Sequence, residues 1–270
     1  MDRRVYRTLT YEMQMSSKSI SRLFKIYLAK APQIPVRSKS NVHLLIDGTY
    51  LPNGLCLILY YDHDIKYMQL YRTAKQEKFK EIYQDLKALK TLGVEVYSVT
   101  CDGHKSILRA VAKVYPNALI QRCVVHVKRQ SRAYLSGYPK LQAGKELLFI
   151  SQQLTYIKTQ ERCSLWLLSM HHWYQTHRDT LIEESINPQT GKYWFTHQGL
   201  HQAYTHIYQA IPHLFTYLND SQIPATTNSL ESYFKHLKDK LLLPSGLRLA
   251  AKRNFITWYL HFKNNAQKFF

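Results

Sequence analysis

Short apolar runs separated by turn residues fill the chain between residues 42 and 101. The run 42–49 is apolar and rich in β-branched residues, 55–61 follows Pro-Asn-Gly, and 65–71 follows Asp-His-Asp. This spacing predicts three consecutive strands joined by tight turns, which is an antiparallel meander. The pattern further predicts a fourth strand over 94–101 and a short fifth strand over 118–120.

The segments around these later strands follow the 3.6-residue period of a helix. One predicted helix runs from about residue 75 to Gly93, a second over 107–114 before Pro116, and a third over 124–134. Helical crossovers of this kind are what parallel strands require. Three antiparallel strands followed by helix, strand, helix, strand and helix is the order of a ribonuclease H-like sheet, so we expect the α/β class.

The rest of the chain carries helical patterns without strand signals. Residues 137–223 predict an all-α insertion, and 224–270 predict two helices that complete the core after it. The first part of the core is then 41–136. Residues 1–40 predict a partial helix-turn-helix-like segment and a linker. The helix that Ser16 or Ser17 can cap has an apolar stripe and a basic face, which suits either a DNA groove or docking onto the protein.

Charge narrows the class of partner. Lys and Arg total 37 against 18 Asp and Glu, a formal net charge of +19, which favours nucleic acid first and an acidic membrane second. No apolar run is long enough to span a bilayer, and we expect no signal peptide. The four cysteines are scattered without a CxxC pair, as in proteins of a reducing cytosol.

Two aspartates occupy related positions in the predicted sheet. Asp47 lies inside the first strand and Asp102 at the end of the fourth, and these strands are neighbours roughly 5 Å apart in a ribonuclease H-like order. Adjacent carboxylates both stay ionised only if a cation bridges them, and oxygen ligands suit Mg²⁺ or Mn²⁺. Glu231, in the first turn of a predicted helix, is the candidate third ligand of a two-metal site.

Each acidic residue also has a simpler interpretation. Asp47 precedes a glycine and is compatible with a hydrogen-bonded turn, whereas Asp102 is compatible with a cap for the following helix. Glu231 is placed to pair with Lys235 on the surface of its helix. Each signal is weak alone, and the three together in this order are more specific.

Several motifs in the chain resemble one family. They are Val99-Thr100-Cys101-Asp102-Gly103-His104-Lys105, Tyr115-Pro116-Asn117-Ala118, Gln121-Arg122-Cys123-Val124-Val125-His126 and Thr226-Thr227-Asn228-Ser229-Leu230-Glu231-Ser232. The combination closely resembles Mutator-type transposases, including their bacterial insertion-sequence relatives, over about 41–136 and 222–245. Full-length members carry a longer N-terminal DNA-binding region.

The resemblance implies a function and a set of partners. It implies a DDE transposase in which Asp47, Asp102 and Glu231 form the catalytic and metal-binding triad. The implied cofactor is two Mg²⁺ or Mn²⁺ ions per site, and the implied partner is double-stranded DNA at transposon ends and target. A homodimer in the bacterial cytoplasm, associated with the nucleoid, is the expected working form.

The resemblance also implies that Cys123 and His126 lie near the site and help to position DNA. The basic residues expected to hold the DNA backbone are Arg122, Lys128, Arg129, Arg132, Lys235, Lys238, Lys240, Lys252 and Arg253. Cys123 is alternatively a buried small residue. A third interpretation makes Cys123 and His126 half of a zinc site that Cys163, His171 and His172 complete.

Three tryptophans lie in the predicted insertion. We expect at least two of Trp166, Trp173 and Trp194 to be core residues. The more specific hypothesis is that one of them stacks on a flipped base.

Two other functions compete with a transposase. One is a non-catalytic DNA-binding protein derived from a truncated or domesticated transposase, and the other is a stand-alone nuclease on the same fold.

Overall fold

The computed structural model describes residues 6–51, 54–241 and 247–266. These residues form an α/β structure with a five-stranded sheet of order β3-β2-β1-β4-β5 and a separate β6-β7 pair. The strands are β1 (Lys39–Leu51), β2 (Leu55–Asp62), β3 (Tyr67–Ala74), β4 (Val94–Cys101), β5 (Leu119–Arg122), β6 (Glu184–Ile186) and β7 (Tyr193–Phe195). The α-helices are α1 (Tyr6–Met13), α2 (Ser17–Ala29), α3 (Phe79–Thr91), α4 (Lys105–Val114), α5 (Val124–Leu135), α6 (Gln142–Gln153), α7 (Gln160–Ile182), α8 (Gln198–Ala210), α9 (Asn228–Leu241) and α10 (Leu249–Ala266).

The five-stranded sheet is mixed. Strands β2 and β3 pair antiparallel, with Leu57 opposite Thr73, whereas β4 and β5 pair parallel, with Ser98 opposite Leu119. Every residue of β2 is buried, which explains why its sequence is apolar at consecutive positions and shows no alternation. The predicted α/β class with antiparallel and parallel strands is therefore confirmed.

The chain divides into two compact units, and β1 and β4 contribute residues to both. The first unit comprises the described residues of 6–42, 47–95 and 228–266. Its buried apolar residues lie on β2 and on stripes of α3, α9 and α10. Buried members of these stripes are Ile82, Leu86 and Leu89 of α3, Leu230, Phe234 and Leu237 of α9, and Ile256 and Leu260 of α10.

The second unit contains residues 43–46 and 96–227. Its helices α5 to α8 enclose one apolar core in which Trp166 and Trp173 are both buried. The indole N–H of Trp166 donates to the Ile150 carbonyl, and that of Trp173 to the Ala143 carbonyl, each at 2.9 Å. The prediction that at least two tryptophans are core residues is confirmed.

The region predicted to be all-α also contains a hairpin. Strands β6 and β7 pair antiparallel, with Ser185 opposite Trp194, around a turn in which the Asn187 side chain accepts two backbone N–H groups. Gly191 adopts φ +65°, a conformation that glycine permits at little cost. The all-α description is therefore wrong for 184–195, because a turn and three consecutive aromatic residues suffice for a hairpin too short to show a pattern.

Helix α2 has the predicted cap at its start. The Ser16 side chain accepts the Ser19 N–H at 3.1 Å. At its other end, the Trp258 indole of α10 donates to the carbonyls of Tyr27 and Lys30, so this end of α2 is docked within the first unit.

Across the described residues, no helix has the length and apolar character that crossing a membrane requires.

Candidate active site

Asp47 is a buried carboxylate within β1. Its side chain is 4 % exposed, and Oδ1 accepts the Gly48 N–H at 2.9 Å. A Cβ atom on Gly48 would overlap with the Glu77 carboxylate, so a second acidic group lies against the backbone beside Asp47. Burial, followed by the charges of Glu77 and Glu81, raises the pKa of Cys56 to about 12, which keeps this thiol protonated. Asp47, Glu77 and Glu81 therefore bring three carboxylates to this part of the first unit.

Asp102 opens the loop that follows β4. Its Oδ1 accepts the His104 N–H at 2.8 Å, and its carbonyl accepts the Nε–H of Arg122 at 3.1 Å. The residue that caps α4 is His104, whose ring accepts the Ser106 N–H at 3.4 Å. Asp102 thus lies two residues before the cap, and its half-buried carboxylate orders the loop that leads to the helix.

The positive charge of Arg122 affects two histidines of the second unit. Burial, together with the Arg122 charge, lowers the pKa of His206 to about 4, and the Asp102 charge opposes this shift. Burial and Arg122 also lower the pKa of His213. Both imidazoles are therefore neutral at pH 7. The Nε2 atom of His206 is buried and has no hydrogen-bond partner among the described residues.

The segment just before α9 is anchored at several points of the second unit. The Thr100 hydroxyl donates to the Pro224 carbonyl at 2.7 Å, and the Val124 N–H donates to the Ala225 carbonyl at 3.1 Å. Glu231 follows in the first turn of α9 and is half-buried. Residues 224–227, which directly precede α9, are therefore held within the second unit.

Cys123 and His126 form one cluster with Thr227. Thr227 donates to the Cys123 sulfur through its N–H at 3.4 Å and its hydroxyl at 3.5 Å, and its hydroxyl lies 3.3 Å from His126 Nδ1. Burial by itself raises the pKa of Cys123, but the hydrogen bond and charge of His126, together with Thr227, shift it below its ordinary value. The pair therefore holds the segment before α9.

A metal ion needs several ligands gathered at one point. Within residues 6–51, 54–241 and 247–266, no three His, Cys, Asp or Glu side chains are gathered so that they could hold a metal ion. Cys163 is buried in the helical core of the second unit. Its pKa is raised by burial, which disfavours the thiolate that zinc requires. Metal binding by the predicted residues stays a prediction.

Replacing Thr227 with valine should raise the pKa of Cys123. The change deletes the hydroxyl bonds to sulfur and imidazole but keeps the backbone N–H, and it should cost about 1 kcal/mol of stability. Thiolate absorbance at 240 nm isolates this group, since the other three thiols have raised pKa values. Wild type should therefore show one thiolate at lower pH than Thr227→Val.

The control for this titration is Thr176→Val, because the exposed Thr176 hydroxyl donates only to the His172 carbonyl of its own helix in the contacts described. Cys123→Ser should abolish the early thiolate signal. A titration curve that is the same in wild type and Thr227→Val would show that Thr227 does not act on the sulfur.

The basic residues predicted to hold DNA differ in how exposed their side chains are. Arg129 and Arg132 are exposed on α5, and Lys235 and Lys238 are exposed on α9. Arg253 is also exposed, and Lys240 is half-buried. Lys128 is half-buried and donates to the Thr155 hydroxyl at 3.3 Å. Arg122 and Lys252 are buried, so the structure does not present them on a free surface.

Three residues near the predicted positions were not predicted from the sequence to be site residues. Gln121 is buried and donates to the Leu214 carbonyl at 2.9 Å, and its side-chain oxygen accepts the Tyr217 N–H at 3.1 Å. Glu77 and His206 do not belong to any of the sequence motifs. Only Gln121 had a signal, because it belongs to the Gln-Arg-Cys-x-x-His motif.

Comparison with known proteins places the chain in a family. The family described as "Transposase, Mutator family" matches residues 61–240, a range that includes Asp102 and Glu231 but not Asp47. A search of curated proteins finds no match. Among solved structures, the simian T-cell lymphotropic virus intasome in complex with PP2A regulatory subunit B56 gamma aligns with a TM-score of 0.24 at 14% identity.

That alignment covers 64% of this chain and 59% of the other, so it spans less than two thirds of the viral-complex chain, and at this TM-score it carries no argument. The family match, in contrast, covers well over half of the sequence and includes the motifs around Asp102, Cys123 and Glu231. On this basis the chain belongs to the Mutator family of transposases.

Proposed function

We propose that this chain is a DDE transposase that cleaves DNA phosphodiesters and transfers the freed strand to a target. The observation that carries the proposal is the family match over residues 61–240. Asp47, Asp102 and Glu231 are the proposed catalytic residues. The fold we propose for the sheet and its helices is ribonuclease H-like, which the observed order β3-β2-β1-β4-β5 supports.

Asp47 and Asp102 are supported by their positions at β1 and β4. Residues 43–46 belong to the second unit together with most of β4, and Asp47 is the next residue of the chain. Asp102 directly follows Cys101, the last residue of β4. Asp47 accepts the Gly48 N–H and Asp102 accepts the His104 N–H, so each carboxylate is held by the backbone next to it.

Glu231 is supported by the way its helix begins. Four residues before it, Thr227 is fully buried and bound to Cys123 and His126. A catalytic carboxylate needs neighbouring groups that hold its backbone, and the anchored Thr227 directly precedes the helix that carries Glu231. We therefore assign Cys123 and His126 to holding this segment, in place of the direct DNA contact expected from the resemblance.

The donor chemistry of the three residues suits Mg²⁺ or Mn²⁺, because carboxylate oxygens are the ligands that these ions prefer. When bound, such ions activate the attacking hydroxyl and stabilise the leaving oxygen. Two ions per site is the proposal carried by the resemblance. The protein's part is to place the carboxylates and to keep them ionised.

Double-stranded DNA, as transposon ends and target, is the proposed partner. The net charge of +19 provides a strong attraction for polyanions, and Arg129, Arg132, Lys235 and Lys238 present cations on exposed helical surfaces. A homodimer is proposed because two ends must be cut together, and the nucleoid of a bacterial cell is the proposed location.

A plasmid assay tests the proposal. A supercoiled plasmid carrying the gene for this chain with its flanking DNA is incubated with the protein and Mn²⁺ or Mg²⁺. We expect nicked circles and joined products that depend on the metal. Binding without cleavage under either metal would refute the catalytic proposal and leave a non-catalytic DNA-binding protein. Cleavage without any joining would indicate a nuclease.

DNA affinity should fall steeply with salt. If six to ten phosphates are contacted, affinity should drop by roughly 10³- to 10⁵-fold between about 50 and 200 mM salt. The double variant Arg129→Gln/Arg132→Gln should reduce the slope of log K against log salt by about two. Arg178→Gln, an exposed cation beside Asp179, is the control and should leave the slope unchanged. A flat salt response would contradict the proposed basic surface.

A further inference from the structure

Arg122 occupies an unusual position for a residue expected to touch DNA. It is the last residue of β5, lies opposite Cys101 in the parallel β4–β5 pair, and is only 7 % exposed. Its Nε–H donates to the Asp102 carbonyl at 3.1 Å. The side chain therefore turns inward, to the backbone of a proposed catalytic residue.

The neighbouring glycine leaves the room that this contact needs. Gly103 adopts φ +84°, and a Cβ atom at this position would overlap with the Nε, Cζ and Cδ atoms of Arg122. The guanidinium group thus packs directly on the Asp102–Gly103 peptide. A residue other than glycine would displace the arginine and would also strain the backbone.

The direction of the Asp102 carboxylate depends on the same short loop. Its Oδ1 accepts the His104 N–H at 2.8 Å, while its carbonyl accepts from Arg122. The two hydrogen bonds fix the backbone and the side chain of one residue. The pKa values of His206 and His213 are both lowered, so both are neutral at pH 7 and neither adds a positive charge to that of Arg122.

We propose that Arg122 is a positioning residue that sets the Asp102 carboxylate by binding its backbone carbonyl. Misplacing a catalytic group by about 1 Å can cost roughly 100-fold in rate. This inference rests on the proposed function for its effect on catalysis. It replaces the DNA-positioning role that the sequence alone predicted for Arg122.

Two substitutions of matched size separate the two roles. In Arg122→Gln, the amide nitrogen lies as many bonds from Cα as Nε does, so a donor to Asp102 is kept while the charge is lost. Arg122→Met has a similar length and no donor. We expect cleavage within about tenfold of wild type for Arg122→Gln and a loss of at least about 100-fold for Arg122→Met.

DNA affinity and its salt slope should be nearly the same in both variants and in wild type. If both variants instead lose affinity equally, with the slope reduced by about one, Arg122 contacts a phosphate and the inference is overturned. Equal cleavage by Arg122→Gln and Arg122→Met would overturn it as well.

A second measurement separates this inference from the proposed function. The His104 amide should exchange with solvent faster in Arg122→Met than in Arg122→Gln or wild type, because its acceptor on Asp102 is no longer held. If wild type never cleaves DNA, the proposed function fails, and this amide still tests the positioning role. Unchanged His104 protection in a folded Arg122→Met would refute that role.

Gly103→Ala decides the question if Arg122→Met does not fold. It keeps the Arg122 charge but forces the guanidinium off the loop, so cleavage and His104 protection should fall while DNA affinity is retained. Gly191→Ala is the matched control, because Gly191 has φ +65° and open space around its Cβ position. A Gly103→Ala protein with wild-type cleavage and protection would contradict the proposal.

Discussion

Asp47→Asn should abolish strand cleavage, with a loss of about 10³-fold or more. Asparagine has nearly the same shape as aspartate, and its side-chain oxygen can still accept the Gly48 N–H. The substitution therefore removes the negative charge and keeps the size of the side chain. Loss of one preorganised electrostatic group commonly costs about 10²- to 10³-fold, and loss of a metal ligand adds to this.

The measurement is plasmid cleavage together with Mn²⁺ binding, followed by electron paramagnetic resonance of the free ion. Both should weaken in Asp47→Asn, whereas DNA affinity at moderate salt should stay close to that of wild type. Asp179→Asn makes the same chemical change on an exposed side chain of α7 and is the control. Wild-type cleavage by Asp47→Asn would exclude Asp47 from the catalytic triad.

Trp173→Ala should cost about 3–5 kcal/mol of stability, the second large effect expected here. Trp173 is 2 % exposed, its indole N–H donates to the Ala143 carbonyl at 2.9 Å, and its ring stacks on Tyr204 at 5.3 Å between centroids. Alanine leaves a cavity in the helical core of the second unit and removes the hydrogen bond to the Ala143 carbonyl. Urea unfolding followed by circular dichroism measures the loss.

Trp194→Ala is the matched comparison, because Trp194 is 47 % exposed on β7. Its stability should change by less than about 1 kcal/mol. If Trp194 stacks on an unpaired base, its removal should weaken binding to single-stranded or end-frayed DNA by about 1–3 kcal/mol. Equal destabilisation by the two substitutions would contradict the assignment of Trp173 to the core.

Local patterns predicted most of the elements. The apolar run of β2 and the 3.6-residue stripes of α3 and α4 were recognisable because each is set by burial of neighbouring positions on one element. The β6–β7 hairpin was missed because strands of three residues are too short to show a period. The strand boundaries also shifted, and β3 runs over Tyr67–Ala74 where the pattern predicted 65–71.

Some of the candidate site residues could be predicted from the sequence, and others could not. The sequence motifs identified Asp102, Cys123 and Glu231, and the family match includes all three. The inward orientation of Arg122 was not predicted, because a basic residue in a basic protein normally faces solvent. Its partner Asp102 lies twenty residues away, and only the packing of β4 beside β5 brings the two together.

By itself, the sequence determined the α/β class, the strongly basic character and the family, since these depend on composition, local periodicity and short motifs. Only the tertiary structure decided which residues serve the interior and which face solvent. Thr227 and Cys123 are 104 positions apart, and their contact is set by the packing of distant elements, which no local pattern records. For the same reason, the positions of His206, Glu77 and Arg122 could be learned only from the folded chain.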